Sequence, residues 1–318
     1  MAVSMFYMKK LSAIFENNYA SVVEKEQNLE EAGLIINKKS GAYPKSNNIL
    51  IMAGGSGSGK SFILDKLLLF TGKVFNPDNT LQLMIDLGKK NPNWSMATRF
   101  KNEYGMELKD IDLHSPEDAN KVYDFLDKTR LHYNREAVFF KSVQNVNDKP
   151  NAIFDVTLSK LKTLEFIGLY AKLGNYDPKN VHLVWVLNDI TVALDQNAKR
   201  NRVVDPKYLK TAHEGAAITF KNIIDYSDRF QEIVDGDIWI VFNKRGVDVK
   251  THVTFKRKND NSTDYQATVN IDDEADQPYI ALHMKESGKP AKKWSEIEKP
   301  FLDKIFEYSK LNMLDDKK

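Results

Sequence analysis

Apolar residues recur at three- and four-residue spacing through Phe6, Leu11, Ile14 and Phe15 and then Val22 and Val23, which predicts a helix over 3–30. Gly33 and the turn-rich NKKSGAYPKSNN separate this segment from the apolar run Ile49–Ala53, which reads as a buried strand. A helix from about Lys60 to Phe70 is expected next, then a short strand at Val74 and Phe75 that ends in a turn, NPDN. A long helical region covers about 80–147. It is interrupted at KKNPNWS and at HSPEDANK, where serine, proline and two acids form a helix start. NAIFDVT is a buried-type strand with Asp155 near its C-terminal end, and a helix over 158–173 follows, closed by Gly174. VHLVWVLND is a core strand, TVALDQNAKRNR and DPKYLKTAHEGAAITFKNII read as helices, and DIWIVFNKRG is a further strand.

Strands that alternate with helices imply an α/β fold, a mostly parallel sheet with helices on both faces. From about Thr251 the texture changes: THVTFKRKND, DYQATVNID and PYIALHMKES alternate as hairpin strands do, and an amphipathic helix ends the chain. The expected organisation is a helical segment at 1–45, an α/β domain at 46–250 and a small β-rich and helical appendage at 251–318.

Composition narrows the class. With 46 basic and 44 acidic residues the formal net charge is +2, so no global basic surplus argues for a nucleic-acid backbone binder. There are no cysteines, which excludes disulfides, thiolate metal sites and thiol nucleophiles and is compatible with a reducing cytoplasm. The longest apolar runs, such as VHLVWVL, fall far short of a membrane span, and the N-terminal segment reads as helix, not signal peptide. A cytoplasmic protein without a membrane partner is therefore expected. The histidines show no spacing with Asp or Glu that suits zinc.

The chemistry begins at GGSGSGKS, which satisfies G-x-x-x-x-G-K-[ST] between a buried strand and a helix. In such a loop Gly54, Gly55, Ser56, Gly57, Ser58 and Gly59 are small enough for backbone N–H groups to surround a phosphate. Lys60 would reach the β- and γ-phosphates of ATP, and the Ser61 hydroxyl would coordinate Mg²⁺. This pattern specifies a nucleoside triphosphate but not what receives its last phosphate.

Other positions bear on the acceptor. Asp78 lies in the loop after the second strand, where a kinase needs a base for an acceptor hydroxyl; the same residue could cap the next helix. Asp155 ends a buried strand, as a magnesium-supporting acid of the Walker B kind does, or caps the helix beyond it. Lys199, Arg200 and Arg202 cluster in NAKRNR, either as a lid over the triphosphate or as a solvated helix end. Residues two apart do not share a helix face, so one of the two arginines would point away.

In this order the phosphate loop, NPD, the aspartate strand, RVVDPKYLKTAH and FNKRG resemble the zeta-toxin family of P-loop kinases, which are close in fold to polynucleotide kinases. The resemblance covers roughly residues 48–250. It implies Asp78 as the base, with Lys60 and the lid residue Arg202 acting on the phosphates. It also implies a hydroxyl acceptor, in the best-known case the 3′-hydroxyl of UDP-N-acetylglucosamine. Where the family usually has a further arginine, NDITVALD has no basic residue, and Arg200 is the candidate substitute. The leading expectation is an ATP- and Mg²⁺-dependent kinase of a sugar nucleotide. Its alternatives are a kinase of a nucleic-acid end or modified base, a P-loop ATPase without acceptor, and a nucleotide-binding module without catalysis. A neutralising protein partner belongs to the same set of expectations.

Overall fold

The computed structural model describes residues 44–64, 68, 70–129, 131–199, 204–243 and 279–314. The expected N-terminal helix and the first two appendage strands lie outside these residues. In chain order the elements are β1 (Ile49–Ala53), α1 (Lys60–Ile63), β2 (Lys73–Phe75), α2 (Pro77–Lys90), α3 (Ser95–Tyr104), α4 (Pro116–Thr129) and α5 (Leu131–Ser142). They continue with β3 (Ala152–Asp155), α6 (Leu161–Leu173), β4 (Val181–Leu187), α7 (Ile190–Ala198), α8 (Pro206–Asp225), β5 (Ile238–Asn243), β6 (Tyr279–Lys285) and α9 (Lys299–Ser309).

Six strands form one sheet in the order β2-β3-β1-β4-β5-β6. The first five run parallel, and β6 lies antiparallel to β5. β1 sits centrally, with Ile49 in register with Ala152 on one side and with Val181 on the other. All five of its residues are buried, which is why the sequence there is continuously apolar rather than alternating. Leu50, Met52, Ile153, Val184, Val186 and Val241 pack with Ile63 of α1 into a single apolar cluster. Elsewhere in the core, Phe75, Phe154, Phe140 and Tyr170 stack in succession, with ring centroids 5.1, 5.7 and 5.8 Å apart. The chain leaves β1 towards β2 and β3, then crosses to β4 on the other side. Such a reversal opens a crevice at the C-terminal ends of the strands.

The described chain divides into two compact units. One comprises Pro77–Ile111 and Asn120–Phe139; the other holds the sheet. The helical unit has its own core, with Leu81, Met84, Phe100, Leu108 and Phe125 all buried. Phe100 meets Phe125 edge-on at 5.3 Å, and Gly88 lets Leu108 approach so closely that a Cβ there would lie 2.6 Å from its Cδ1. The sequence reading treated this region as one helical stretch inside the α/β domain. Periodicity shows helices but not which helices share a core.

Two further differences have local causes. The helix expected from 158 starts at Leu161, because Leu158 takes a left-handed backbone (φ 52°) that delivers its side chain to the core. PYIALHMKES, read as an appendage hairpin, instead supplies the sixth strand of the main sheet. Its Lys285 ammonium is buried and donates at 2.9 Å both to the Asp235 carboxylate and to the Asp235 carbonyl, pinning the strand beside the loop that enters β5. After it, α9 places Phe301 against Phe242 of β5 at 6.2 Å. The described part of the expected appendage is thus joined to the sheet.

Candidate active site

The sheet unit positions the phosphate loop between β1 and α1. Gly54 has φ 139°, and a Cβ there would fall 2.5 Å from the Val186 carbonyl oxygen. Only glycine combines this backbone with so close an approach to β4. Gly59 repeats the requirement at the entrance to α1, with φ 93° and a virtual Cβ 1.9 Å from Asn243 Nδ2. The Gly54 N–H donates to the Thr157 carbonyl, and the Ser58 N–H closes a turn onto the Gly55 carbonyl.

Three side chains from three other segments hold the outer side of the loop. His213 of α8 meets the Ser56 carbonyl at 2.9 Å. Asn188, buried just after β4, points Nδ2 at the Gly57 carbonyl at a long 3.5 Å. Asn243, the last residue of β5, donates to the Ser58 carbonyl at 2.8 Å. In a planar trans peptide the C=O and the following N–H point in opposite directions. Holding the carbonyls of Ser56 and Ser58 from outside therefore turns the N–H groups of Gly57 and Gly59 inward, the arrangement an anion requires. Burial pushes the His213 pKa down, and the Lys60 ammonium adds to the effect. Because a carbonyl only accepts, Nε2 is the ring nitrogen that carries the donated proton.

Lys60 folds over the loop, donating to the Gly54 carbonyl at 2.8 Å and standing 3.6 Å from Asp155 Oδ1. Asp155 lies at the end of β3 and accepts from Asn76 Nδ2 at 2.8 Å. It does not cap α6, whose N-cap is Lys160. Asp155 Oδ1 is buried without a hydrogen-bond partner. An unsatisfied carboxylate oxygen beside the loop lysine suits a hard cation or an ordered water. Among the described residues no group of three or more His, Cys, Asp or Glu could hold a metal ion. Mg²⁺, however, commonly uses only one or two carboxylates together with substrate phosphates. Asp155 with the exposed Ser61 hydroxyl fits that donor set.

Asp78 lies in the helical unit. Pro77 opens α2, so Asp78 sits within the first turn and not at the cap. There its charge suits the helix dipole, and its Oδ1 accepts a hydrogen bond from the Tyr123 hydroxyl of α4. Arg200 and Arg202 lie outside the described residues. Asn197, at the end of α7, exchanges hydrogen bonds with the Val204 backbone at 2.7 and 3.1 Å. Asp189 is a helix cap, accepting from the Thr191 N–H at 2.7 Å.

The structure places Lys60 of the Gly54–Ser61 loop beside Asp155. Sequence reasoning missed Asn76 as the partner of Asp155, Asn243 as a loop brace and Tyr123 as the partner of Asp78. FNKRG had signalled Asn243 as part of a family segment. Nothing local marks Tyr123, which is 45 residues from its partner.

These features define a P-loop α/β protein. No family model matches the chain, and no curated protein does. Among solved structures, an AvrRxo1-ORF1:ORF2 complex is similar at 14% identity and TM-score 0.37, over 74% of this chain and 63% of that one. An AvrRxo1-ORF1:ORF2 structure with ATP gives 14% identity and TM-score 0.40, over 71% of this chain and 64% of that one. A structure from the PezAT chromosomal toxin–antitoxin system of Streptococcus pneumoniae gives 17% and 0.37, over 69% and 76%. The chain thus spans under two thirds of the AvrRxo1 chains it resembles. Likenesses this distant leave function to be argued from the residues.

Proposed function

We propose that the protein is an ATP-dependent kinase that transfers the γ-phosphate to a hydroxyl group, in the manner of the zeta-toxin kinases its motifs resemble. The observation that supports this best is the braced loop itself: GGSGSGKS held in its phosphate-binding shape, with Lys60 3.6 Å from Asp155. On this reading Gly57 and Gly59 donate backbone N–H groups to the phosphates, and Lys60 exchanges its Gly54 partner for the β- and γ-phosphate oxygens. Asp155 and Ser61 would hold Mg²⁺, which would neutralise charge on the phosphates when bound. Asp78 would accept the proton of the acceptor hydroxyl, and Arg202, with Arg200, would stabilise charge on the transferring group. Asp78 follows by two residues the Asn76 that holds Asp155.

The acceptor proposed first is a sugar nucleotide such as UDP-N-acetylglucosamine; the second is a hydroxyl of a nucleic acid. A toxin-like kinase also calls for a neutralising protein partner and an ATP-containing compartment such as the cytoplasm. Among the described residues no helix is long and apolar enough to cross a membrane.

The test is transfer from γ-labelled ATP to UDP-N-acetylglucosamine and to single-stranded DNA and RNA. Lys60→Ala is expected to lower transfer by about 100-fold or more, and Asp78→Asn by a comparable factor. Label recovered only as free phosphate, at equal rates in wild type and Asp78→Asn, would leave an ATPase in place of a kinase.

A further inference from the structure

We propose that Tyr123 is the positioning residue for Asp78, its phenol holding one carboxylate oxygen so that the carboxylate meets the acceptor hydroxyl in a fixed orientation. The inference rests on the kinase reading above and concerns a residue that neither the loop motif nor the family resemblance singles out.

Both residues are half-buried and stand on helices whose register is locked by core packing. In α4, Val122, Phe125 and Leu126 flank Tyr123 and are buried; in α2, Leu81, Met84 and Ile85 hold the helix that begins beside Asp78. The phenol therefore reaches the carboxylate from a rigid element, without a mobile loop. A hydrogen bond from a neutral hydroxyl to a carboxylate is roughly twice as strong as one between neutral groups. It also removes rotation of the carboxyl plane, which matters because a base displaced by about 1 Å can cost on the order of 100-fold in rate.

The step balances simply. The acceptor oxygen forms a bond to the γ-phosphorus while the bond from that phosphorus to the β–γ bridging oxygen breaks and ADP departs. The acceptor proton moves to the Asp78 carboxylate. Tyr123 keeps its own proton throughout.

The rival role is a plain tie between α2 and α4, and the test separates the two. The full chain is labelled with aspartate carrying ¹³C at the side-chain carboxyl, and the Asp78 signal is assigned by its loss in Asp78→Asn. In Tyr123→Phe the Asp78 signal is expected to titrate at a higher pH than in wild type, since a donor to the charged form is gone. The acid limb of the transfer rate should move with it. The kcat for transfer to UDP-N-acetylglucosamine or a single-stranded oligonucleotide should fall roughly tenfold, with the KM for ATP within about twofold. An unmoved titration overturns the proposal even if the rate falls, because packing alone would then explain the loss. A moved titration with an unchanged rate overturns it as well. Full transfer to either hydroxyl acceptor in Asp78→Asn refutes the base assignment while leaving the kinase reading standing. Transfer to neither hydroxyl acceptor by wild type refutes both.

Discussion

Replacing Asn243 with alanine removes the side chain that holds the Ser58 carbonyl from the end of β5, at a position only 4% exposed. The 2.8 Å bond is buried, so its loss leaves a carbonyl without a partner or water. An orphaned buried acceptor costs about 1–3 kcal/mol. For a unit of this size that corresponds to a fall of roughly 2–10 °C in Tm. The effect on ligand should exceed the effect on the fold. Freed from Asn243, the Ser58–Gly59 peptide can rotate, and the Gly59 N–H no longer points inward. A drop of about tenfold in ATP affinity, equivalent to about 1.4 kcal/mol, is expected. Asn243→Asp should be worse than alanine, because it sets a carboxylate against a carbonyl where a donor stood. Alanine at 243 also removes the atom 1.9 Å from a Cβ on Gly59. Gly59→Ala should therefore be less damaging in the Asn243→Ala background than alone, with the strain of φ 93° remaining. Thermal unfolding with and without Mg·ATP, together with calorimetric titration of ATP, measures both quantities. A variant that melts lower but binds ATP as wild type does would refute the claim that Asn243 orients the loop's amides.

Two predictions concern stability alone. Burial holds the His182 pKa below its ordinary value of 6.5, despite the opposing pull of Asp237. The unfolded chain therefore takes up the proton first: the contribution is fully present above about pH 6.5 and is lost as pH falls below it. Urea midpoints at pH 7.5 and 5.5 should drop less in His182→Gln than in wild type, and an equal drop would refute this assignment. Lys285→Met leaves the Asp235 carboxylate without its buried cation and should cost about 3–5 kcal/mol. Adding Asp235→Asn should restore part of that; urea denaturation of the two variants decides it.

The functional centre was legible because it is local. A phosphate loop is eight consecutive residues whose glycines are required by backbone angles and by close approach, so the spacing of GGSGSGKS reports the geometry directly. Asp78 and Asp155 could be nominated because strand ends mark the crevice, but not decided. Helix bounds removed only the capping alternative: α2 starts at Pro77 and α6 at Leu161 with Lys160 as its cap, so neither acid is an N-cap. The strands of the parallel sheet were legible for a related reason, since burial on both faces writes itself as an unbroken apolar run.

Pairings across long separations were not legible. Alternation in PYIALHMKES announces a strand but carries nothing about which edge it joins; Lys285 and Asp235, 50 residues apart, decide that. The same holds for Asn243 on Ser58, 185 residues away, and for Tyr123 on Asp78. The sequence by itself determined the phosphate-binding loop, the strands and the helices, because each follows from neighbouring residues and their periodicity. Tertiary structure alone decided the sixth strand, the separate helical core and the side chains that hold the loop and Asp78, because a hydrogen bond between distant residues leaves no local pattern.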